Sequence, residues 1–161
     1  TPSTFETIPA WSLLKCFSMR RHASVLLIDD SPGERELFRQ ALLRTGLDIV
    51  LHSQQDSESA LHFLRQRVEL PALILLDWHL SHQRGDVFLK PMRSEPRFAA
   101  IPVVAFTTSD DETDLSAAYA NAVNGYVVKP ETFEDLVLCV GDICRYWLTR
   151  NRTPYWVETT C

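Results

Sequence analysis

The fold of this chain is decided by residues 72–80, ALILLDWHL, where five apolar residues run without interruption into the carboxylate of Asp77. A short, continuous apolar run, here preceded by Pro71, is typical of a strand buried on both faces of a parallel sheet. Open α/β sheets place their chemistry at the carboxyl ends of their strands, which is where Asp77 lies. Taken alone, Asp77 could equally cap the following turn, so its role depends on what other strands bring to the same edge.

Four other segments have the composition of strands, and helical segments alternate with them along the chain. The predicted strands are residues 24–28, 49–52, 72–76, 102–106 and 126–128. The first predicted helix has Ser31 as its N-cap with Glu34 three residues later, a capping-box arrangement, and it ends at Gly46. Further helices are predicted from residue 56 or 57 to 68, around 87–93, from 110 to 123 and from 131 to 149. This alternation predicts an α/β fold with one five-stranded parallel sheet and five helices covering both of its faces.

Three regions follow from the length and the composition. Residues 1–21 contain two prolines and no clear period, so we expect a disordered leader. Residues 22–149 are long enough for one domain with a full core. Residues 150–161 form a C-terminal tail that is too short for an output domain, so we expect the surface of the domain to carry its output.

Bulk properties argue against several classes of protein. The formal net charge of −5 disfavours direct DNA binding, and no apolar run approaches the length of a membrane span. The four cysteines show no metal-ligand spacing, and those at 139 and 144 are expected to be buried free thiols. We therefore expect a cytoplasmic protein.

The predicted strand ends deliver Asp29, Asp30, Asp77, Thr107 and Lys129 to one edge of one sheet. Three carboxylates in one cleft repel one another unless a cation compensates them. Oxygen ligands without histidine or cysteine favour Mg²⁺. The hydroxyl and the ammonium are groups that bind phosphoryl oxygens, so the set predicts Mg²⁺-dependent phosphoryl transfer to a carboxylate.

This ordered set resembles the receiver domain of two-component response regulators. The motifs that carry the resemblance are IDD (28–30), LLD (75–77), FTT (106–108) and YVVKP (126–130). The gaps of 30 residues from Asp77 to Thr107 and 22 from Thr107 to Lys129 fit the spacing of that family. The resemblance covers residues 22–149 and implies a flavodoxin-like, doubly wound receiver fold.

By this resemblance, Asp77 is the phosphoacceptor. Asp29 and Asp30 would form the acidic pocket that binds Mg²⁺ together with Asp77, and the backbone carbonyl of His79 would be a further metal ligand. The positions of His79 and Ser109 resemble those that tune dephosphorylation in the family, and we expect both side chains to face solvent. The protein would be no enzyme beyond its own phosphorylation and dephosphorylation.

The resemblance also implies a switch. Thr107 would be the hydroxyl that moves toward the phosphoryl group, and Tyr126 the aromatic side chain that rotates with it. Thr108 would limit access to the phosphoryl group. Lys129 would pair with a phosphoryl oxygen, and Pro130 would follow it, often through a cis peptide bond in this family.

The implied phosphoryl donor is a sensor histidine kinase. The segments DDSPGE (29–34), TTSDD (107–111) and YWLT (146–149) are similar to the small stand-alone regulators that are paired with phytochrome-type kinases. A bacteriophytochrome is therefore an expected partner.

The last predicted helix carries two apolar lines. Its core stripe consists of Leu136, Val140, Ile143 and Trp147, and an offset second line consists of Phe133, Val137, Cys144 and Leu148. Beyond the helix lies an apolar segment at 155–157. We predict a homodimer through the last helix and the tail, with the tail as an exchanged or docked arm.

Other classes of protein stay open at this point. A haloacid-dehalogenase-type phosphatase also uses an aspartate nucleophile with Mg²⁺, but it needs a second aspartate where His79 stands. A flavodoxin-like FMN binder needs a phosphate loop where Asp29 and Asp30 would repel the phosphate. A receiver that only shuttles or stores phosphate, and one that is never phosphorylated, are further alternatives.

Overall fold

The computed structural model describes residues 23–153, and the structural statements below concern that part of the chain. In chain order, its strands are β1 (Ala23–Ile28), β2 (Ile49–Gln54), β3 (Leu73–Leu76), β4 (His79–Leu80), β5 (Gln83–Arg84), β6 (Val103–Thr107) and β7 (Gly125–Val128). Five of them form one parallel sheet in the order β2-β1-β3-β6-β7. The predicted five-stranded parallel sheet is confirmed.

Five α-helices alternate with these strands, also as predicted. They are α1 (Pro32–Thr45), α2 (Ser57–Gln66), α3 (Asp86–Ser94), α4 (Glu112–Ala120) and α5 (Phe133–Arg145). The last helix is expected to continue to residue 149, but its α-helical part ends at Arg145 and a π-helical turn, Tyr146–Arg150, follows it. Within the described residues, no helix is long and apolar enough to cross a membrane.

Alternate residues of the central strands pack into two separate cores. Leu26, Ile74 and Val103 face the core that α2, α3 and α4 cover. Val25, Leu73 and Val104 face the opposite core, which α1 and α5 cover. The sheet is therefore buried on both faces, which is why β3 reads as an unbroken apolar run.

An antiparallel hairpin of β4 and β5, which was not predicted, lies between the strand predicted at 72–76 and the helix predicted around 87–93. It closes over the fully buried ring of Trp78, and the Gly85 N–H donates to the Trp78 carbonyl at 3.0 Å. A Cβ atom on Gly85 would lie 2.5 Å from Trp78 Cε3 and 3.1 Å from Leu76 Cδ2. Glycine is required here by close approach, and the contact fixes the chain just after Asp77.

The second apolar line of α5 is partly covered, with three of its four side chains half-buried. Phe133, Val137 and Leu148 pack against the same core as the predicted stripe, and Cys144 is 1% exposed. The apolar band is wide because α5 contacts both the sheet and α1. Cys144 is therefore no part of a free face, the dimer face on the rest of that line stays a prediction, and the apolar segment at 155–157 lies outside the described residues.

Candidate functional site

The register of the central strands brings two of the predicted acidic residues side by side. Ile28 of β1 pairs with Leu76 of β3, so Asp29 and Asp77 follow at adjacent strand ends. The Asp77 N–H donates to the Ile28 carbonyl at 2.9 Å. One carboxylate oxygen from each of Asp29, Asp30 and Asp77 lies within 4.8 Å of the other two.

This cluster fits a hard divalent cation. An ion bound at about 2.0–2.6 Å from each oxygen can contact three ligands at such separations. The donor set is all carboxylate, which favours Mg²⁺ or Mn²⁺ over zinc. The structure thus brings together the three side chains that the sequence predicted as metal ligands.

Lys129 joins the cluster from the end of β7. Its Nζ lies 2.7 Å from Asp29 Oδ2 and 3.1 Å from Asp77 Oδ2. A third carboxylate, Glu34 Oε2, lies 2.5 Å away on the first turn of α1. Burial alone would lower the pKa of Lys129, but the carboxylates of Asp77, Asp29 and Glu34 outweigh it and raise that pKa above its ordinary value.

The pKa values of Asp77 and Asp30 are shifted in opposite directions by their surroundings. Burial raises the pKa of Asp77, and the Lys129 ammonium and the His79 N–H, 3.1 Å from Asp77 Oδ1, offset part of that rise. The pKa of Asp30 is lowered, chiefly by the Ser81 hydroxyl, and the Ser81 N–H also donates to Asp30 Oδ2 at 3.0 Å. Of these two carboxyls, the more buried one, Asp77, is thus the one whose charge costs more.

Thr107 and Tyr126 lie beside this edge on β6 and β7. The Thr107 side chain is fully buried, and its Oγ1 accepts from the Ser109 N–H at 3.4 Å. The Lys129 N–H donates to the Thr107 carbonyl at 2.8 Å, which joins the ends of the two strands. The half-buried Tyr126 donates its hydroxyl to the Ser109 carbonyl at 3.0 Å. The two predicted switch residues therefore meet at the backbone of the β6–α4 loop.

Two expectations about this edge need correction. The His79 side chain is 52% exposed, as expected, but Ser109 is half-buried rather than solvent-facing, and both bind Asp114 near the start of α4. Asp114 Oδ2 lies 2.5 Å from His79 Nε2 and 2.6 Å from Ser109 Oγ, and Asp114 Oδ1 accepts from Arg84 at 3.1 Å. The hydrogen bond from Ser109 is the main cause that lowers the pKa of Asp114, which is 8% exposed. The second correction concerns the Lys129–Pro130 peptide bond, which is trans.

Sequence reasoning also missed the part that Glu34 plays. The Ser31 hydroxyl accepts from the Glu34 N–H at 3.3 Å, as a capping box requires. The reciprocal bond is not made, because the Ser31 N–H donates to Asp29 Oδ1 at 2.9 Å. The Glu34 carboxylate turns to Lys129 instead. Its position on the first turn after Asp29 and Asp30 was the one signal in the sequence for this contact.

The fold and the site define a signalling receiver, and comparison with known proteins agrees. The chain belongs to the family of response regulator receiver domains, whose family model matches residues 25–140. Among curated proteins, it is 38% identical to a probable methanogenesis regulatory protein, FilR2 of Methanothrix harundinacea, over 81% of this chain and 86% of that protein. It is 35% identical to the response regulator Rcp1 of Synechocystis over 81% of this chain and 92% of Rcp1.

Solved structures give the same result. The phosphorylated cyanobacterial phytochrome response regulator RcpA superposes with a TM-score of 0.75 at 29% identity, over 83% of this chain and 99% of that one. The Mn²⁺-bound form of Rcp1 superposes with a TM-score of 0.71 at 33% identity, with the same coverage. The chain is therefore a response regulator receiver domain that is similar to phytochrome-associated regulators.

Proposed function

We propose that this receiver accepts a phosphoryl group on Asp77 in a Mg²⁺-dependent reaction, with a sensor histidine kinase as the donor. The observation that carries the proposal is the position of Lys129. Its ammonium lies 3.1 Å from Asp77 Oδ2 at a cluster of three carboxylates that fits a divalent cation. A nucleophile, a cation and a metal site at one point are the parts that phosphoryl transfer requires.

In the proposed reaction, an Asp77 oxygen forms a bond to phosphorus while the bond from phosphorus to the donor imidazole nitrogen breaks. The imidazole leaves with the electron pair, and Asp77 becomes an acyl phosphate. Lys129 donates a hydrogen bond to a phosphoryl oxygen, and the His79 N–H holds the carboxylate in place. Mg²⁺ held by Asp29, Asp30 and Asp77, with the His79 carbonyl as a further predicted ligand, would offset the negative charge on the transferring group.

We propose that Thr107 and Tyr126 transmit the phosphorylation of Asp77 to the surface of the domain. Thr107 lies at the end of β6 and would reach for a phosphoryl oxygen, since phosphate oxygens are strong hydrogen-bond acceptors. Any movement there pulls on the loop that Tyr126 binds through the Ser109 carbonyl. The surface of the domain then differs between the two states, which a downstream partner can detect.

A phytochrome-type kinase is the proposed donor, because phytochrome regulators are among the proteins that this chain resembles in sequence and structure.

We retain the homodimer as a proposal, now through the exposed apolar side chains of Leu138 and Tyr146 on the outer side of the last helix. Sedimentation of a chain that ends at residue 149 tests the contribution of the tail. The cytoplasmic location and the absence of direct DNA binding stay predictions.

The decisive experiment incubates the protein with acetyl phosphate and MgCl₂ and measures its intact mass. We expect one added phosphoryl group that hydroxylamine removes and that EDTA prevents from forming. Asp77→Asn should abolish it, whereas Asp86→Asn, which removes an acid paired with Lys90 at the start of α3, should not. Labelling that persists in Asp77→Asn would refute the assignment, and sustained release of phosphate from p-nitrophenyl phosphate would favour the phosphatase alternative.

A further inference from the structure

The ammonium of Lys129 has no donor left for an incoming group. A lysine ammonium carries three N–H donors, and here three carboxylates accept from it. They are Asp29 at 2.7 Å, Glu34 at 2.5 Å and Asp77 at 3.1 Å. The Lys129 side chain is only 7% exposed, so water supplies little alternative. For Lys129 to bind a phosphoryl oxygen, one of these three hydrogen bonds has to break.

The three carboxylates differ in how easily each can leave. Asp29 is 2% exposed and is held by the Ser31 N–H at 2.9 Å, so its carboxylate cannot turn away from Lys129 into water. Phosphorylation turns the Asp77 carboxylate into an acyl phosphate, so the donor that Asp77 now accepts passes to that group, and a second donor has to come from Asp29 or Glu34. The side chain of Glu34 is 39% exposed, so water can solvate its carboxylate when the ion pair with Lys129 opens.

There is also space beside the site into which the Glu34 side chain can move. A surface cavity beside the site is lined in part by Glu34, Leu37, Thr108, Lys129 and Glu131. Because Glu34 lies on the first turn of α1, rotation of its side chain needs no change in the helix backbone. A phosphoryl group on Asp77 would add negative charge within reach of Lys129 and would repel the Glu34 carboxylate.

We propose that Glu34 is a positioning residue that occupies Lys129 in the unphosphorylated protein and is displaced from it by the phosphoryl group. Glu34 thereby competes with the phosphoryl group and weakens the phosphorylated state. This inference rests on the proposed phosphorylation of Asp77. Glu34 lies outside the metal cluster. Its charge disfavours the phosphorylated state, whereas the charges of Asp29 and Asp30 favour that state by holding the cation.

The test is the affinity for beryllofluoride, a phosphoryl mimic, measured at saturating MgCl₂ through the fluorescence of the protein's tryptophans. Glu34→Gln should lower the half-saturating concentration by about 3- to 10-fold, which is the effect expected of one partly exposed charge-assisted hydrogen bond. Glu131→Gln is the matched control, because it removes the same charge from the wall of the same cavity without a hydrogen bond to Lys129. It should leave the affinity within about 2-fold of the wild type.

An unchanged or weaker affinity in a folded Glu34→Gln protein would overturn the proposal. An equal gain in Glu131→Gln would also overturn it, since the effect would then come from the overall field rather than from Lys129. A wild-type protein that neither binds beryllofluoride nor accepts a phosphoryl group would instead refute the proposed function, and the role of Glu34 with it. Thermal unfolding of each variant identifies any loss that comes from the fold.

Discussion

Replacing Gly85 with alanine tests how tightly the segment after Asp77 is held. Gly85 has φ −57° and ψ −24°, a conformation that every L-residue adopts without strain. Loss of chain entropy in the unfolded state would therefore make Gly85→Ala stabilising by about 0.4–1 kcal/mol. The added methyl group acts in the opposite direction, because it would lie 2.5 Å from Trp78 Cε3 and 2.8 Å from Trp78 Cζ3.

The steric cost of the added methyl group should exceed the entropic gain. Ordinary carbon contacts lie near 3.5–4.0 Å, so one of the two groups must move by about 1 Å. Trp78 is fully buried in a packed core and cannot move outward, and overpacking of this kind costs about 1–3 kcal/mol. We expect a net loss of about 1–2 kcal/mol in the free energy of unfolding. For a chain of this length, that loss lowers Tm by about 2–8 °C.

Urea denaturation and calorimetry measure both quantities. Gly33→Ala is the matched control, since a Cβ atom there has Ser31 Oγ at 3.9 Å as its nearest neighbour and should cost nothing. In a Trp78→Leu background, the clashing ring atoms are gone, so Gly85→Ala should become nearly neutral. Equal or greater stability of Gly85→Ala, or the same loss in both backgrounds, would refute the reasoning.

Two further substitutions follow from the same structure. Ala122 has φ +67°, a left-handed conformation that is unfavourable for alanine and favourable for glycine. Ala122→Gly removes that penalty but raises the entropy of the unfolded chain, so we expect a net stabilisation of about 0.5–1 kcal/mol, measured by urea denaturation. A lower stability would mean that the strain at this turn is absent. The Asp114 pKa lies below its usual 3.8, so its contribution to stability is present above that value and is lost as the pH falls through the folded-state pKa. Asp114→Asn should therefore be less stable than the wild type at pH 7, and the difference should shrink below about pH 4; a constant difference in urea denaturation between pH 3 and 7 would contradict this.

The sheet and the main site residues could be predicted because their signals are local. An unbroken apolar run indicates a buried strand, and the residue after it must lie at the carboxyl edge. That rule places Asp29, Asp77, Thr107 and Lys129 together without any knowledge of their side-chain contacts. The hairpin after Asp77 could not be predicted, since strands of two residues are too short to show a period.

Most of the missed contacts join segments that are distant in sequence. Glu34 and Asp114 each lie in the first turn of a helix, where an acid is already explained by the helix dipole. Their actual partners, Lys129 and His79, lie 95 and 35 residues away. The partial burial of the second apolar line of α5 was missed for a related reason, because the width of a buried stripe depends on how many neighbours pack around the helix.

The links made by Lys129 also bear on the order in which the chain is synthesised. Its carboxylate partners Asp77 and Asp29 precede it by 52 and 100 residues. Until β7 leaves the ribosome, a nascent chain that has already formed β1 and β3 holds their acids together without the ammonium of Lys129. Early docking of those strands is therefore opposed by charge repulsion, and completion of the acidic edge coincides with addition of the last strand. A chain that stalls before Lys129 lacks the ammonium that contacts Asp77, so the proposed phosphoryl transfer has all of its groups only after β7 has been made.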